Sequence, residues 1–316
     1  MCFKNFLYLV FFFILCGQTL WADNKLVIYT YDSFSSEWGP GPIIKEKFVT
    51  TCNCEIEFIT TSNAATLLTK ILLEKDKTEA DIVIGLDQKS IWDAMETGLF
   101  SSPHVYDYGY FAFIYNDEKL LNPPKSFKEL IEKENIKIVT QDPRTSTPGF
   151  GLLTWIKYIY GNNSSKVWSQ LNKNIITYTP GWSEAYGIFL SGNADLVLSY
   201  TTSPAYHMMY ENTSKYKALI FSEGHYKQNE YALILENSNQ QGLAKKFIEF
   251  IRTKDIQKEF ALKNIMYPYE FENIKEQLPI EFTNVPVPDK TFLFEDKIIS
   301  LNKEKWIDEW LNAVVK

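Results

Sequence analysis

Histidine and cysteine are scarce in this chain, three of one and four of the other in 316 residues. His104, His207 and His225 form no pattern with Ser or Cys that suggests a catalytic triad, and each is expected to be a surface or capping residue. Cys2 and Cys16 lie near the start, which leaves Cys52 and Cys54. A single C-x-C without histidine nearby supplies too few ligands for a metal site. Cysteines at i and i+2 bridge only through a tight turn, so a local staple and two unpaired thiols both remain open. A basic block is missing too: 39 acidic against 32 basic side chains give a formal charge of −7, which removes nucleic acid from the expected partners. Internal repeats and low-complexity tracts are absent. Hydrophobic residues at 45% and charged residues at 22% point to neither disorder nor a multi-span membrane protein.

What is present begins with a leader. One Lys within Met1–Asn5, the apolar run Phe6–Leu15 and the small Ala22 before Asp23 occur in the order of a secretory signal peptide, expected over residues 1–22. The apolar part is too short to span a bilayer comfortably. This places the mature chain in the periplasm. Lipid anchoring at Cys16 is the less favoured alternative, because Leu15 stands where a small residue is usual.

The length suits two α/β lobes. Lys25–Thr30, Glu55–Ile59 and Asp81–Gly85 have the β-branched and aromatic composition of buried strands. Pro42–Phe48 and Ala64–Glu74 between them carry helical spacing. Such alternation predicts a parallel sheet with helical crossovers, whose ligands bind beyond the carboxyl ends of the strands. Tyr108–Tyr115 is expected to cross into a second lobe. There the pattern restarts with Lys137–Thr140, Ile175–Tyr178 and Leu196–Ser199, and helices from Pro148, Ser183 and Pro204. Tyr231–Leu235 is expected to cross back. Leu243–Phe260 reads as one amphipathic helix, and Ile299–Val315 closes the chain with Trp306 and Trp310 as core residues one turn apart. The expected division is 23–107 with about 230–265 as lobe 1, 108–229 as lobe 2, and 266–316 as a segment packing on both.

Three segments combine a predicted strand end with Pro near a helix start: Trp38-Gly39-Pro40-Gly41-Pro42, Ser146-Thr147-Pro148-Gly149, and Tyr200-Thr201-Thr202-Ser203-Pro204. Ser or Thr at an N-cap with Pro at N1 leaves backbone N–H groups facing outward and adds the positive end of a helix dipole. Each is a candidate anion site, with the Ser146, Thr147, Thr202 and Ser203 hydroxyls assisting; ordinary capping is the plainer alternative. Tyr31, Trp38, Trp182, Tyr200 and Tyr206 share these loops or the Gly181-Trp182-Ser183 helix start, where a ring can stack on a flat ligand or face a cation. The combination suits a ligand with a cationic aromatic part and an anionic tail.

The strings that carry these features, Tyr29-Thr30-Tyr31-Asp32-Ser33-Phe34, Trp38-Gly39-Pro40-Gly41-Pro42, Cys52-Asn53-Cys54, the run Asp107–Phe113, the run Gln141–Gly149, the run Gly181–Tyr186 and the run Asp195–Tyr206, resemble the periplasmic thiamine-binding proteins of bacterial thiamine ABC importers. The resemblance spans nearly the whole mature chain. It implies an α/β, two-lobed type II periplasmic-binding-protein fold, with the ligand in the cleft between the lobes. The implied ligand is thiamine, thiamine monophosphate or thiamine diphosphate, with no cofactor and no metal. The implied partners are ABC permease and ATPase subunits at the inner membrane, with the binding protein a monomer. Carried over by position, Tyr31, Trp38, Trp182, Tyr200 and Tyr206 would surround the rings. Ser146, Thr147, Thr201, Thr202 and Ser203, with Pro204 behind them, would take phosphate or hydroxyl groups. Two departures bear on which vitamer is preferred: Asn63-Ala64 replaces the family's Asp-Gly at a ligand-contacting position, and Ile265 replaces a Trp before Met266-Tyr267-Pro268.

Two other classes compete. Thiaminases share this general fold but need a Cys nucleophile and a carboxylate base at the cleft; Cys52 and Cys54 precede a strand instead. A ferric or polyamine cargo on the same fold would draw on Tyr200, Tyr206, His207 and Tyr210, but adjacent Trp182 and the Ser/Thr-rich caps favour an organic phosphate.

Overall fold

A computed structural model describes residues 24–315. The expected signal peptide and Cys16 lie outside the described residues. The apolar runs form eleven strands: β1 (Lys25–Tyr31), β2 (Glu55–Thr61), β3 (Ile82–Leu86), β4 (His104–Asn116), β5 (Ile138–Gln141), β6 (Ile175–Thr179), β7 (Leu196–Tyr200), β8 (Tyr216–Ala218), β9 (His225–Ile234), β10 (Tyr267–Pro268) and β11 (Thr291–Phe292). Their order is β2-β1-β3-β9-β4-β7-β5-β6, with β8 and β10 also on β4 and β11 on β9. β1 is parallel to β2 and β3, and β5 is parallel to β6 and β7. Each parallel triplet is the sheet of one lobe. β4 and β9, antiparallel to each other, join the two: β4 pairs with β9 from His104 to Tyr110 and with β7 from Phe111 to Tyr115.

The two largest hydrophobic clusters among the described residues follow from this arrangement. The first packs Leu26, Ile28, Ile82, Ile84 and Leu233 against Leu67, Ile71, Phe247 and Ile251. The second packs Phe113, Ile138 and Leu198 against Phe127, Trp155 and Trp168, and takes Trp306 and Trp310 from the C-terminal helix Asp296–Val314, as expected of that pair. A fully buried Trp or Phe contributes roughly 2–3 kcal/mol by removal of its apolar surface from water, so the closing helix is held to the second lobe by packing. It also reaches the first lobe: Lys303 and Ser300 both bind Asp93.

The predicted helix limits held at Ala64–Glu74. They failed at Leu243–Phe260. The chain forms Gln241–Ile251, breaks at Thr253 (φ −68°, ψ 149°), and resumes as Lys254–Glu259 followed by a π-turn, Phe260–Asn264. Thr253 takes the extended backbone of an N-cap, which restarts the helix at a new angle and spends its amphipathic face on two surfaces. Cys52 and Cys54 are joined by a disulfide with Cα atoms 5.2 Å apart, and the tight turn is supplied by Asn53 at φ 50°, a conformation Asn tolerates. The expectation for the histidines is corrected at two of three positions. His207 and His225 are fully buried. The His225 Nδ1–H donates to the Phe111 carbonyl (2.7 Å) while Nε2 accepts from the Phe221 amide (2.8 Å), so the ring is a neutral bridge inside the second core.

Candidate ligand cleft

Alternation along β4 and β9 decides what faces the space between the lobes. Asp107, Gly109 and Phe111 leave one face of β4, and Tyr108 and Tyr110 leave the other. Tyr108 and Tyr110 are covered by Tyr267, which stacks on Tyr108 at 5.4 Å and is backed by Phe271 and Phe282. The first face stays polar. Asp107 and Gly109 pair in register with Glu230 and Gln228 of β9. Gly109 is required there: a Cβ would meet the Tyr200 ring at 2.7 Å and the Met266 side chain at 2.8 Å.

Two predicted ring residues dip their hydroxyls into this floor from opposite sides. Tyr31, at the end of β1 in the first lobe, donates to Glu230 Oε2 (2.7 Å). Tyr200, at the end of β7 in the second lobe, donates to Gln228 Oε1 (2.7 Å) and stacks on Phe111. Gln228 Nε2 donates to Glu230 Oε1 (3.1 Å) and closes the chain between them. Trp182 joins the same group through a second chain, Trp182 Nε1 to Ser199 Oγ (2.8 Å), Ser199 Oγ with Ser203 Oγ (2.7 Å), and the Tyr200 amide to Ser203 Oγ (3.3 Å). The structure thus brings Tyr31 and Tyr200 together at the floor, and places Trp182 and Ser203 on the other face of β7, linked to the backbone of Tyr200.

Other predicted residues sit differently. Trp38 and Tyr206 are 52% and 41% exposed. Asn63 spends its side-chain oxygen on the Thr66 amide (3.2 Å) as N-cap of the Ala64–Glu74 helix; the side chain of Ala64 lies outside the described residues. Thr201, Thr202 and Pro204 are buried, and Thr202 is the N-cap of Ser203–Tyr210 without a side-chain cap bond. Ser146 is likewise the N-cap of Thr147–Tyr160 without a side-chain cap bond, so the expected hydroxyl capping is absent at both helices. The Ser146 and Thr202 side chains are left uncommitted to the helix ends because Pro at the start already removes one donor that a cap would serve.

Two side chains bridge from the loops after β3 to those after β5. Thr147 Oγ1 donates to Asp87 Oδ2 (2.5 Å), and Lys89 Nζ donates to the Pro143 and Arg144 carbonyls (3.0 and 2.8 Å). On the side of β4 covered by Tyr267, the Tyr210 hydroxyl donates to the Leu262 carbonyl (2.7 Å). Between Asp87, Gln88, Thr147, Phe150, Phe111 and Gln228 there remains a narrow space with room for about one water molecule.

Residues 44–262 match the model of the bacterial extracellular solute-binding proteins. The thiamine-binding periplasmic protein of Brucella melitensis is 45% identical over 92% of each chain, and that of Escherichia coli 42% identical over 95% of this chain and 97% of its own. A solved structure titled periplasmic thiamin binding protein superposes with a TM-score of 0.88 at 42% identity, covering 92% of this chain and 96% of that one. The chain belongs to the bacterial extracellular solute-binding proteins. As such it is a solute-capturing subunit of an ABC importer, working with a permease and an ATPase, and it is not an enzyme.

The electrostatics of this solute-binding protein centre on residues that the sequence did not single out. Asp107 and Glu230 are buried as register partners. Burial, then the neighbouring carboxylate, holds Asp107 well above the usual carboxylate range, and burial likewise raises Glu230. Burial lowers the pKa of Lys89, although Asp87 opposes it. A signal for the pair was available: each predicted crossing run, Tyr108–Tyr115 and Tyr231–Leu235, is immediately preceded by an acidic residue. Three of the four groups of the hard-metal alternative are engaged elsewhere, and Tyr206 is exposed. The Tyr200 hydroxyl is on Gln228, His207 lies between Tyr186 Oη and Glu211, and Tyr210 is on Leu262.

Proposed function

We propose that this chain captures thiamine, thiamine monophosphate or thiamine diphosphate in the periplasm by closing its two lobes over the vitamin, and that it does so as a monomer after loss of residues 1–22. The observation that carries the reading is the convergence of Tyr31 and Tyr200, from opposite lobes, on one acidic floor, in a chain whose relatives at 42–45% identity are named for thiamine. The pyrimidine and thiazolium rings would lie against Tyr31, Trp182 and Tyr200, with Trp38 and Tyr206 folding over them from their exposed positions. The phosphate end would take Ser146, Thr147 and the Thr201–Ser203 turn at the two Pro-started helices, where backbone N–H groups and the dipole favour anions. Lobe limits near 107 and 230 place the crossing strands at the hinge. A ligand that touches both lobes binds the closed form better and shifts the population toward it.

Calorimetric titration of the mature protein with the three vitamers tests the reading. Saturable binding of at least one is expected. Replacing both Ser146 and Thr147 with Ala should weaken the phosphorylated forms more than thiamine, since charge-assisted hydrogen bonds contribute about 1.5–3 kcal/mol. Absence of heat with all three would overturn the assignment of cargo.

A further inference from the structure

Two carboxyl groups face each other in the floor of the cleft. Asp107 of β4 and Glu230 of β9 are direct register partners, so their side chains leave the same face of the sheet side by side. The groups that face them come from four elements and one loop. Tyr31 of β1 and Tyr106 of β4 both donate to Glu230 Oε2, and Gln228 of β9 donates to its other oxygen. Asn264 of the π-turn donates to Asp107 Oδ2 (2.6 Å), and Asp87, after β3, adds a further negative charge near Glu230. Tyr200 reaches Gln228 and stops there. All of these groups are neutral or acidic. Asp107 Oδ1 is buried with no hydrogen-bond partner.

Like charges side by side in a dry site do not both ionise. Hydrogen bonds to the charged form favour it, so Glu230, which gathers three donors, carries the charge, and Asp107, which gathers one, carries the proton. We propose that Asp107 and Glu230 are the counter-charge of the cleft: they hold one proton between them while it is empty, and a cationic ring lodged between Tyr31 and Tyr200 drives that proton from Asp107 into solvent. This rests on the thiamine reading, because the thiazolium ring is positive whatever the state of the phosphate end. A cation within about 4–6 Å lowers a carboxyl group's hold on its proton. Burial of Asp107 beside a carboxylate, which raises its proton affinity when the cleft is empty, is the condition for that release. By linkage, expulsion of a proton makes capture tighter as pH rises.

The test is calorimetry of the mature protein with thiamine at neutral pH in two buffers of different ionisation enthalpy. A release approaching one proton per thiamine is expected, with affinity rising toward ten-fold per pH unit. A neutral isostere with thiophene in place of thiazolium should bind with the same heat in both buffers. Asp107→Asn should bind thiamine with the release abolished; if that variant does not fold, the contrast between thiamine and its neutral isostere decides the matter in the unaltered protein. Thiamine binding with identical heats in both buffers would overturn the proposal and leave the thiamine reading standing. No binding of thiamine at all would overturn both.

Discussion

The two faces of β4 and β9 are built from the same strands and serve opposite ends. One face is closed by Tyr267, Phe271 and Phe282 over Tyr108 and Tyr110, an aromatic seal. The other carries Asp107, Gln228 and Glu230, which pack against tyrosine hydroxyls and leave a buried oxygen unpaired. The first face favours folding through burial. The second burdens folding with desolvated acids, which is what a site reserved for a ligand looks like before the ligand arrives. Period-two alternation separates the two within a single residue step.

The comparison is broken most directly on the sealed side. Tyr267→Ala removes a fully buried ring from between Tyr108, Phe271 and Phe282, and should cost about 3–5 kcal/mol of stability, read by denaturant titration, while the folded fraction keeps its ligand affinity. A parallel loss of affinity beyond the unfolded fraction would mean that the seal also shapes the site.

Next in size is the pH response of the polar side. Asp107 and Glu230 bind protons more tightly folded than unfolded, so the stability they contribute is fully present below about pH 4 and is lost as pH rises through their folded-state range. His225 acts in the opposite sense. Burial brings it down to about 4, so its share is present above about pH 6.5 and is lost as pH falls through about 4. The difference between the unaltered protein and Asp107→Asn isolates the first effect: melting temperature without ligand should fall less steeply with rising pH in the variant. Identical slopes would show that the pair is not strained.

Trp182→Ala should weaken thiamine binding about ten-fold or more in the folded fraction, the loss of roughly 1–2 kcal/mol of cation–π attraction, and should also lower stability because the ring stacks on Tyr186 and bonds Ser199. Unchanged affinity would take Trp182 out of the site. The smallest effect is expected at the closing contacts. Lys89→Met deletes two hydrogen bonds to the Pro143 and Arg144 carbonyls, about 1 kcal/mol in total, and should raise the open population several-fold, seen in scattering as a larger radius of gyration without ligand.

Most of the architecture was legible because it is local. Apolar runs placed the strands of both parallel triplets and most of β4, but not β8, β10, β11 or the polar first half of β9, which starts at His225 rather than at Tyr231; the Ala64–Glu74 helix and the burial of Trp306 and Trp310 followed from spacing within single segments. The loops after β1 and β7 were marked by composition, and Tyr31 and Tyr200 do converge. What escaped depends on pairing between distant segments. That Asp107 lies opposite Glu230 is a matter of register, which no local pattern carries, and tyrosines on both faces of β4 mask the alternation that would reveal it. His225 was misjudged for the same reason, since its partners are backbone groups of Phe111 and Phe221. The hydroxyls of Ser146 and Thr202 looked like caps because caps are the usual use of those residues, yet neither side chain bonds its helix end.

The narrow space left in the closed cleft has a kinetic meaning. With room for about one water between Asp87, Thr147 and Gln228, this arrangement of the lobes has no space for a vitamin there, so under the proposed closure an encounter awaits an opening in which Lys89 and Thr147 release their partners, and the lobes close again around a larger occupant. At low concentration the vitamin's arrival limits uptake, and at high concentration the clock passes to the protein, whose opening rate becomes a ceiling that more ligand cannot raise.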